Sequence, residues 1–143
     1  MALFLDTGFF LGLLHPKDPN HATSIRLFRT MSTGKWGLIY SSLLVIGEAA
    51  TIILIRTQNN TDLLQDFFSL IHGEDHFIRL LPWSPELEKE TWQVFLQHNK
   101  NAKAKNEYLS FVDASSIYYC RMFKIDSILA FDGDFDAYLQ RIH

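Results

Sequence analysis

Cysteine is nearly absent: Cys120 is the single thiol in 143 residues. One cysteine forms no internal disulfide and cannot supply a cysteine-rich zinc site. An excess of positive charge is missing as well, since 13 basic residues face 16 acidic ones for a formal net charge of −3. Nucleic-acid-binding domains are usually basic, so composition does not announce such a partner. It does not exclude a site built of acids, which would itself make the sum more negative. No apolar run reaches the length of a membrane span. The first residues carry no basic n-region and no small-residue cleavage site, and Asp6 interrupts their apolar run, which predicts a cytoplasmic protein. G-x-S-x-G, the P-loop, G-x-G-x-x-G and H-E-x-x-H are all absent, and the six histidines show no ligand spacing. A zinc hydrolase of that type is thereby disfavoured.

What remains is a chain 48% hydrophobic and 14% aromatic, enough for one globular domain over residues 1–143 with a core of its own. Ala2–Leu5 reads as a short buried strand that stops on Asp6, and Thr7–Leu14 as a short helix. The two prolines of His15–Asn20 mark a loop, with Asp18 and Pro19 read as N-cap and first helical residue of His21–Met31. Trp36–Ser41 is the second strand, and Ser42 caps a helix over Leu43–Thr57. That helix is apolar nearly all round, so burial on more than one side is expected. Thr61 is read as the cap of a helix over Asp62–His72. Phe77–Leu81 follows as a strand, then a helix over Glu86–His98 capped by Ser84. Its early acids suit the helix dipole. The polar stretch Asn99–Asn106, with Lys100, Lys103 and Lys105, reads as a solvated loop or a phosphate contact. A helix from Asp113 to about Lys124, a strand Ile128–Phe131 and a last short helix near Asp134–Leu139 complete the chain. Strands alternating with helices argue for an α/β fold with a parallel sheet covered on both faces.

In such sheets ligands gather outside the carboxyl ends of the strands. Asp6, Glu48, Asp113 and Asp132 each stand where an apolar element begins, ends or is interrupted. Asp6 and Asp113 also read as helix caps, and Asp132 before Gly133 as a turn residue. Glu48 is harder to dismiss, because it is the one charge in Leu43–Ile55 and has no basic residue one turn away. Burying such a carboxylate without a partner is costly. The run Asp132–Asp136 is not an EF-hand loop, since Ala137 and His143 stand where glycine and glutamate are required. Carboxylates at one edge are hard ligands suited to Mg²⁺ or Mn²⁺, and such ions support hydrolysis of phosphodiesters.

Three stretches together, FLDTGFF (Phe4–Phe10), LLVIGEAATIIL (Leu43–Leu54) and LSFVDASSIYY (Leu109–Tyr119) with ILAFDGDF (Ile128–Phe135), resemble the PIN-domain family. They look most like its small ribonucleases of VapC toxin type. The resemblance spans nearly the whole chain and implies a three-layer α/β/α sandwich around a mostly parallel sheet. It also implies a Mg²⁺- or Mn²⁺-dependent endoribonuclease with Asp6, Glu48, Asp113 and Asp132 as metal-binding acids, Asp134 as an auxiliary acid and Thr7 as the hydroxyl beside the first. RNA as substrate, frequent homodimers and a small antitoxin protein that blocks the site come with it. Two other readings stand beside this one. A non-catalytic PIN-like module that binds RNA or protein has no need of the four acids. A purely structural α/β protein would require a basic partner for Glu48 and a wide separation of Asp6 from Asp132.

Overall fold

A computed structural model describes residues 1–143. Five strands form one sheet: β1 (Ala2–Leu5), β2 (Leu38–Ser42), β3 (Ile78–Leu81), β4 (Ser127–Leu129) and β5 (Gln140–Ile142). Their order is β3-β2-β1-β4-β5, and all four pairings are parallel. The helices are α1 (Thr7–Leu14), α2 (His21–Met31), α3 (Leu43–Arg56), α4 (Thr61–His72), α5 (Pro85–Asn101) and α6 (Phe111–Met122). Helices α1–α4 lie on one face, where α1 packs on α2 and α3, and α5 packs with α6 on the other. The result is the three-layer α/β/α sandwich expected from sequence.

β1 is central because Leu3, Phe4 and Leu5 are all fully buried, a continuous apolar run of the kind parallel strands show when both faces are covered. Phe4 stacks on Tyr119 of α6, and Phe9, Phe10 and Phe67 extend the core beneath α1 and α4. Chain connections leave β1 toward β2 and leave β4 toward β5. The crevice between β1 and β4 is therefore the topological switch point, where ligands of open α/β sheets bind.

Several expectations need correction. Strand β2 starts at Leu38 rather than Trp36, because Gly37 adopts φ +67° and its α-carbon sits against the Met1 carbonyl, leaving no room for a side chain. Asp18 does not cap α2. Its Oδ1 accepts from Asn20 N–H at 2.8 Å in a local turn, and its Oδ2 pairs with Arg56 at 3.3 Å, which ties the loop to the end of α3. Asn60, not Thr61, caps α4 by accepting from Leu63 N–H. Helix α5 runs on to Asn101, so part of the expected loop is helical. The expected final helix is a single 3-10 turn at Gly133–Phe135, followed by edge strand β5. Finally, α3 buries only the stripe Val45, Ala49 and Ile53, while Leu43, Leu54 and Ile55 are exposed. Its outer-layer position leaves no second surface to cover it.

Close packing of α1 on α2 has one steric requirement. A side chain at Gly12 would strike the buried Ser24 hydroxyl and approach the Asn20 carbonyl to 3.2 Å. Gly12→Ala should lower the unfolding free energy by about 1–3 kcal/mol despite alanine's better helix propensity. A shift of the urea midpoint to lower concentration checks this; an unchanged or raised midpoint would refute the contact.

Candidate active site

Two neighbouring strands end together at the switch point. Leu5 of β1 is paired with Leu129 of β4, and the Asp6 N–H donates to the Leu129 carbonyl at 3.1 Å. Asp6 leaves the sheet there, and Asp132 follows three residues beyond Leu129, so both acids emerge from adjacent strands at one edge. Glu48 lies on the second turn of α3, which begins directly after β2. Asp113 lies in the first turn of α6, and α3 and α6 touch. A purely structural role would require Asp6 and Asp132 to lie far apart, whereas the strands that lead to them are paired.

Asp6 occupies the N-cap position of α1 but makes no side-chain capping bond. It is only 5% exposed, and its Oδ1 is buried without a hydrogen-bond partner. Native proteins rarely leave a buried polar atom in that state, so such an atom points to a ligand or a functional duty. Burial, then the charges of Asp113 and Glu48, push the Asp6 carboxyl up to about 8, although the Thr7 and Gly8 amides oppose this. The capping reading of Asp113 also fails. Ser110 caps α6, accepting from Asp113 N–H at 3.0 Å. Burial chiefly, with Glu48, Asp132 and Asp134 adding repulsion, raises the Asp113 carboxyl to about 7 against the pull of the Ser110 hydroxyl. Burial and the neighbouring Asp132 raise Asp134 as well.

Carboxylate oxygens of Asp113, Asp132 and Asp134 lie within 4.8 Å of one another. Asp6 and Glu48 join this group electrostatically through Asp113. Asp132 does form the turn expected of it, since its Oδ1 accepts from Asp134 N–H at 2.9 Å. That bond also sets the two acids side by side. Glu48 is half-buried and receives a 2.6 Å hydrogen bond from the Thr7 hydroxyl. Neither ion pair of the fold, Arg56–Asp18 or Arg141–Asp136, involves any of these five acids.

Oxygen donors that repel one another, with no cation among them, suit a hard divalent metal ion. Covalent catalysis by thiolate does not fit. Cys120 is buried, and its thiol is driven upward by that burial and by Asp6, which keeps it protonated and inert. Ser110 is the residue that sequence reasoning passed over. Its signal was present in Ser110-Phe-Val-Asp113, the spacing of a capping serine three residues before an acid.

No family model matches the chain. It is 30% identical over 135 residues to the 23S rRNA-specific endonuclease VapC20 of Mycobacterium tuberculosis, covering 94% of this chain and 92% of that one. It is 24% identical to a VapC ribonuclease of Archaeoglobus fulgidus, over 94% of this chain and 80% of the relative. The crystal structure of M. tuberculosis VapC20, a sarcin–ricin loop cleaving toxin, superposes with a TM-score of 0.78 at 27% identity, over 94% and 93% of the two chains. VapBC2 from Rickettsia felis, bound to a promoter DNA fragment, shares the fold at a TM-score of 0.59 and 10% identity, covering 99% and 98%.

Proposed function

This chain belongs to the VapC family of PIN-domain ribonuclease toxins, and from that premise we propose that Asp6, Glu48, Asp113, Asp132 and Asp134 form the metal site of its RNA-cleaving centre. The observation that supports this is the grouping of Asp113, Asp132 and Asp134 oxygens within 4.8 Å of one another with no cation among them, beside an Asp6 whose buried Oδ1 has no partner. Mg²⁺ or Mn²⁺ is the ion such oxygens select. When bound, the ion supplies an acidified water, polarisation of the phosphodiester and neutralisation of the leaving oxygen.

The protein's own part is positioning. Asp6 follows directly on the fully buried run Leu3–Leu5 of β1, so its carboxylate is held rigidly. Ser110 fixes the first turn of α6 and with it Asp113. Thr7 holds one Glu48 oxygen, Oε2, and so orients the carboxylate. Thr7→Ala should lower kcat about tenfold with KM nearly unchanged, and Thr7→Ser should restore it, because the hydroxyl alone does this work. Steady-state kinetics separate the cases. A serine variant as slow as alanine would remove the hydroxyl's role.

RNA is the substrate in this reading, and the target of the VapC20 relative makes a sarcin–ricin hairpin the first to try. We read residues 1–143 as one domain acting in the cytoplasm, paired with an antitoxin protein and with a second copy of itself. An apolar groove of about 330 Å³ between α3 and α4, lined by Ile46, Ala50, Leu64, Phe67, Phe68 and Ile71, lies on the helix that carries Glu48 and suits an inhibitory segment. On the other layer Trp92 and Leu96 are exposed on α5, which supports the second copy.

The test is incubation of the purified protein with a sarcin–ricin hairpin RNA in Mn²⁺, in Mg²⁺ and in excess chelator. One discrete cut that requires the cation is expected. A hairpin that stays intact in both metals while a mixed RNA pool is cut would shift the substrate; no cleavage of any RNA would remove the enzyme reading.

A further inference from the structure

The acid edge creates a problem for its own substrate. Five carboxylates repel a phosphate chain, and the protein's net charge of −3 gives no general compensation. We propose that the segment Lys100–Tyr108 is the RNA-backbone grip of this protein, seating phosphates beside the acids through Lys100, Lys103 and Lys105. The proposal rests on the ribonuclease reading above and adds to it the surface that binds the strand.

Charge is the first ground. Three of the seven lysines fall within Lys100–Lys105. All three are exposed, and none is in an ion pair. Glu107, the one acid of the segment, is otherwise engaged: its Oε2 accepts from Lys103 N–H at 2.6 Å and from Ala104 N–H at 3.2 Å. Those amides hold its carboxyl below the usual carboxylate range, so it stays a closed backbone clasp. The lysine ammonium groups are left free for an external anion.

Rigidity is the second. Asn99 clamps both ends of the segment, donating to the Phe95 and Leu109 carbonyls at 2.9 and 3.0 Å and accepting from Leu109 N–H at 2.9 Å. His98 Nε2 lies 2.9 Å from the Glu107 carbonyl, which can only accept, so Nε2 carries the proton. A loop ordered before binding loses less entropy on meeting its ligand. An ordinary solvated lysine loop has no need of such clamps.

Position is the third. The segment runs directly into Ser110, the cap that sets Asp113. At its other end His98 Nδ1 meets the hydroxyl of Tyr138 at 2.7 Å, and the Tyr138 N–H donates to the Phe135 carbonyl, which ties the segment to the turn that carries Asp134. The lysines are thus borne on a stretch anchored beside two acids of the cluster. Tyr108, 56% exposed, adds a flat ring on which an unpaired base can stack. That combination favours a nucleic-acid strand over an acidic protein.

The experiment compares the wild type with a Lys100→Ala/Lys103→Ala/Lys105→Ala variant and its Lys→Arg counterpart. Anisotropy of a fluorescein-labelled sarcin–ricin hairpin is followed in Ca²⁺ across a salt series, beside cleavage kinetics in Mn²⁺. The alanine variant should bind about tenfold or more weakly, with the slope of log Kd against log salt shallower by about 2, roughly 0.7 for each phosphate that a lysine no longer neutralises. KM should rise by the same factor with kcat within twofold, and the arginine variant should behave as wild type. Equal slopes and affinities for alanine variant and wild type would overturn the proposal, as would a wild type that does not bind the hairpin or an arginine variant as weak as alanine. If no protein cleaves but the slope difference persists, the ribonuclease reading fails and the binding surface stands. If the wild type cleaves and the alanine variant matches it, the surface fails and the ribonuclease stands.

Discussion

Asp6→Asn should abolish cation-dependent RNA cleavage, by about 10³-fold or more, while leaving the metal-free protein as stable as wild type or more so. The loss follows from removing a carboxylate that no neighbour replaces. A ligand to a catalytic cation contributes several kcal/mol of transition-state stabilisation, and about 4 kcal/mol corresponds to 10³-fold in rate. The stability effect has a pH signature. The Asp6 carboxyl stands at about 8 in the fold against an ordinary 3.8, so the folded state binds a proton more tightly than the unfolded chain. Its contribution is fully present below about pH 4, declines as pH rises, and is gone above about pH 8. Asparagine, neutral and of the same shape, carries no such decline. Its advantage should therefore be near zero at about pH 4, about half developed at pH 6 and complete above about pH 8, where it reaches the order of a few kcal/mol, read as the difference in urea unfolding. An asparagine variant less stable than wild type at every pH, in metal-free buffer, would mean that Asp6 is a structural residue. Full activity in that variant would exclude it from the site.

Metal affinity should rise steeply with pH across the neutral range, and binding should release protons. Without metal, Asp6 at about 8 and Asp113 at about 7 both hold protons for part of the time at pH 7. Ligation requires the carboxylates, so the ion must displace those protons. Between pH 6 and pH 8 the Kd for Mn²⁺ should fall by about 100–1000-fold, with roughly one to two protons released per ion near pH 7. Calorimetry in two buffers of different ionisation enthalpy measures both quantities on one sample. A saturating ion should also raise the melting temperature, since ligand at 100 times its Kd stabilises by about 2.7 kcal/mol. An affinity independent of pH would show that the acids are already ionised and that the crowding at this edge is not felt. In an Asp6→Asn/Asp113→Asn variant both the binding and the proton release should vanish.

The one-sided burial of α3 bears on the proposed partner. Leu43, Leu54 and Ile55 stand in solvent on this helix, and the inhibitory segment proposed for the α3–α4 groove would cover part of that apolar surface.

The sequence by itself determined the elements whose causes are local. Ser42 and Ser84 cap α3 and α5 as read, because a hydroxyl and an amide three residues on need nothing else. The buried run Leu3–Leu5 ending on an acid needed no neighbours to be recognised as a strand, and the motifs around Asp6, Glu48, Asp113 and Asp132 carried the family likeness. Only the tertiary structure decided what depends on partners far along the chain. Strand β5 is three residues, two of them polar, and exists because β4 supplies its hydrogen bonds. Asp18 looked like a cap until Arg56, 38 residues away, was brought against it. Asp6 looked like a cap too, and became a proton-holding acid with an orphaned oxygen through burial and two through-space charges. Burial and Coulomb repulsion are properties of neighbourhood, and the neighbourhood of a sheet edge is assembled from distant segments.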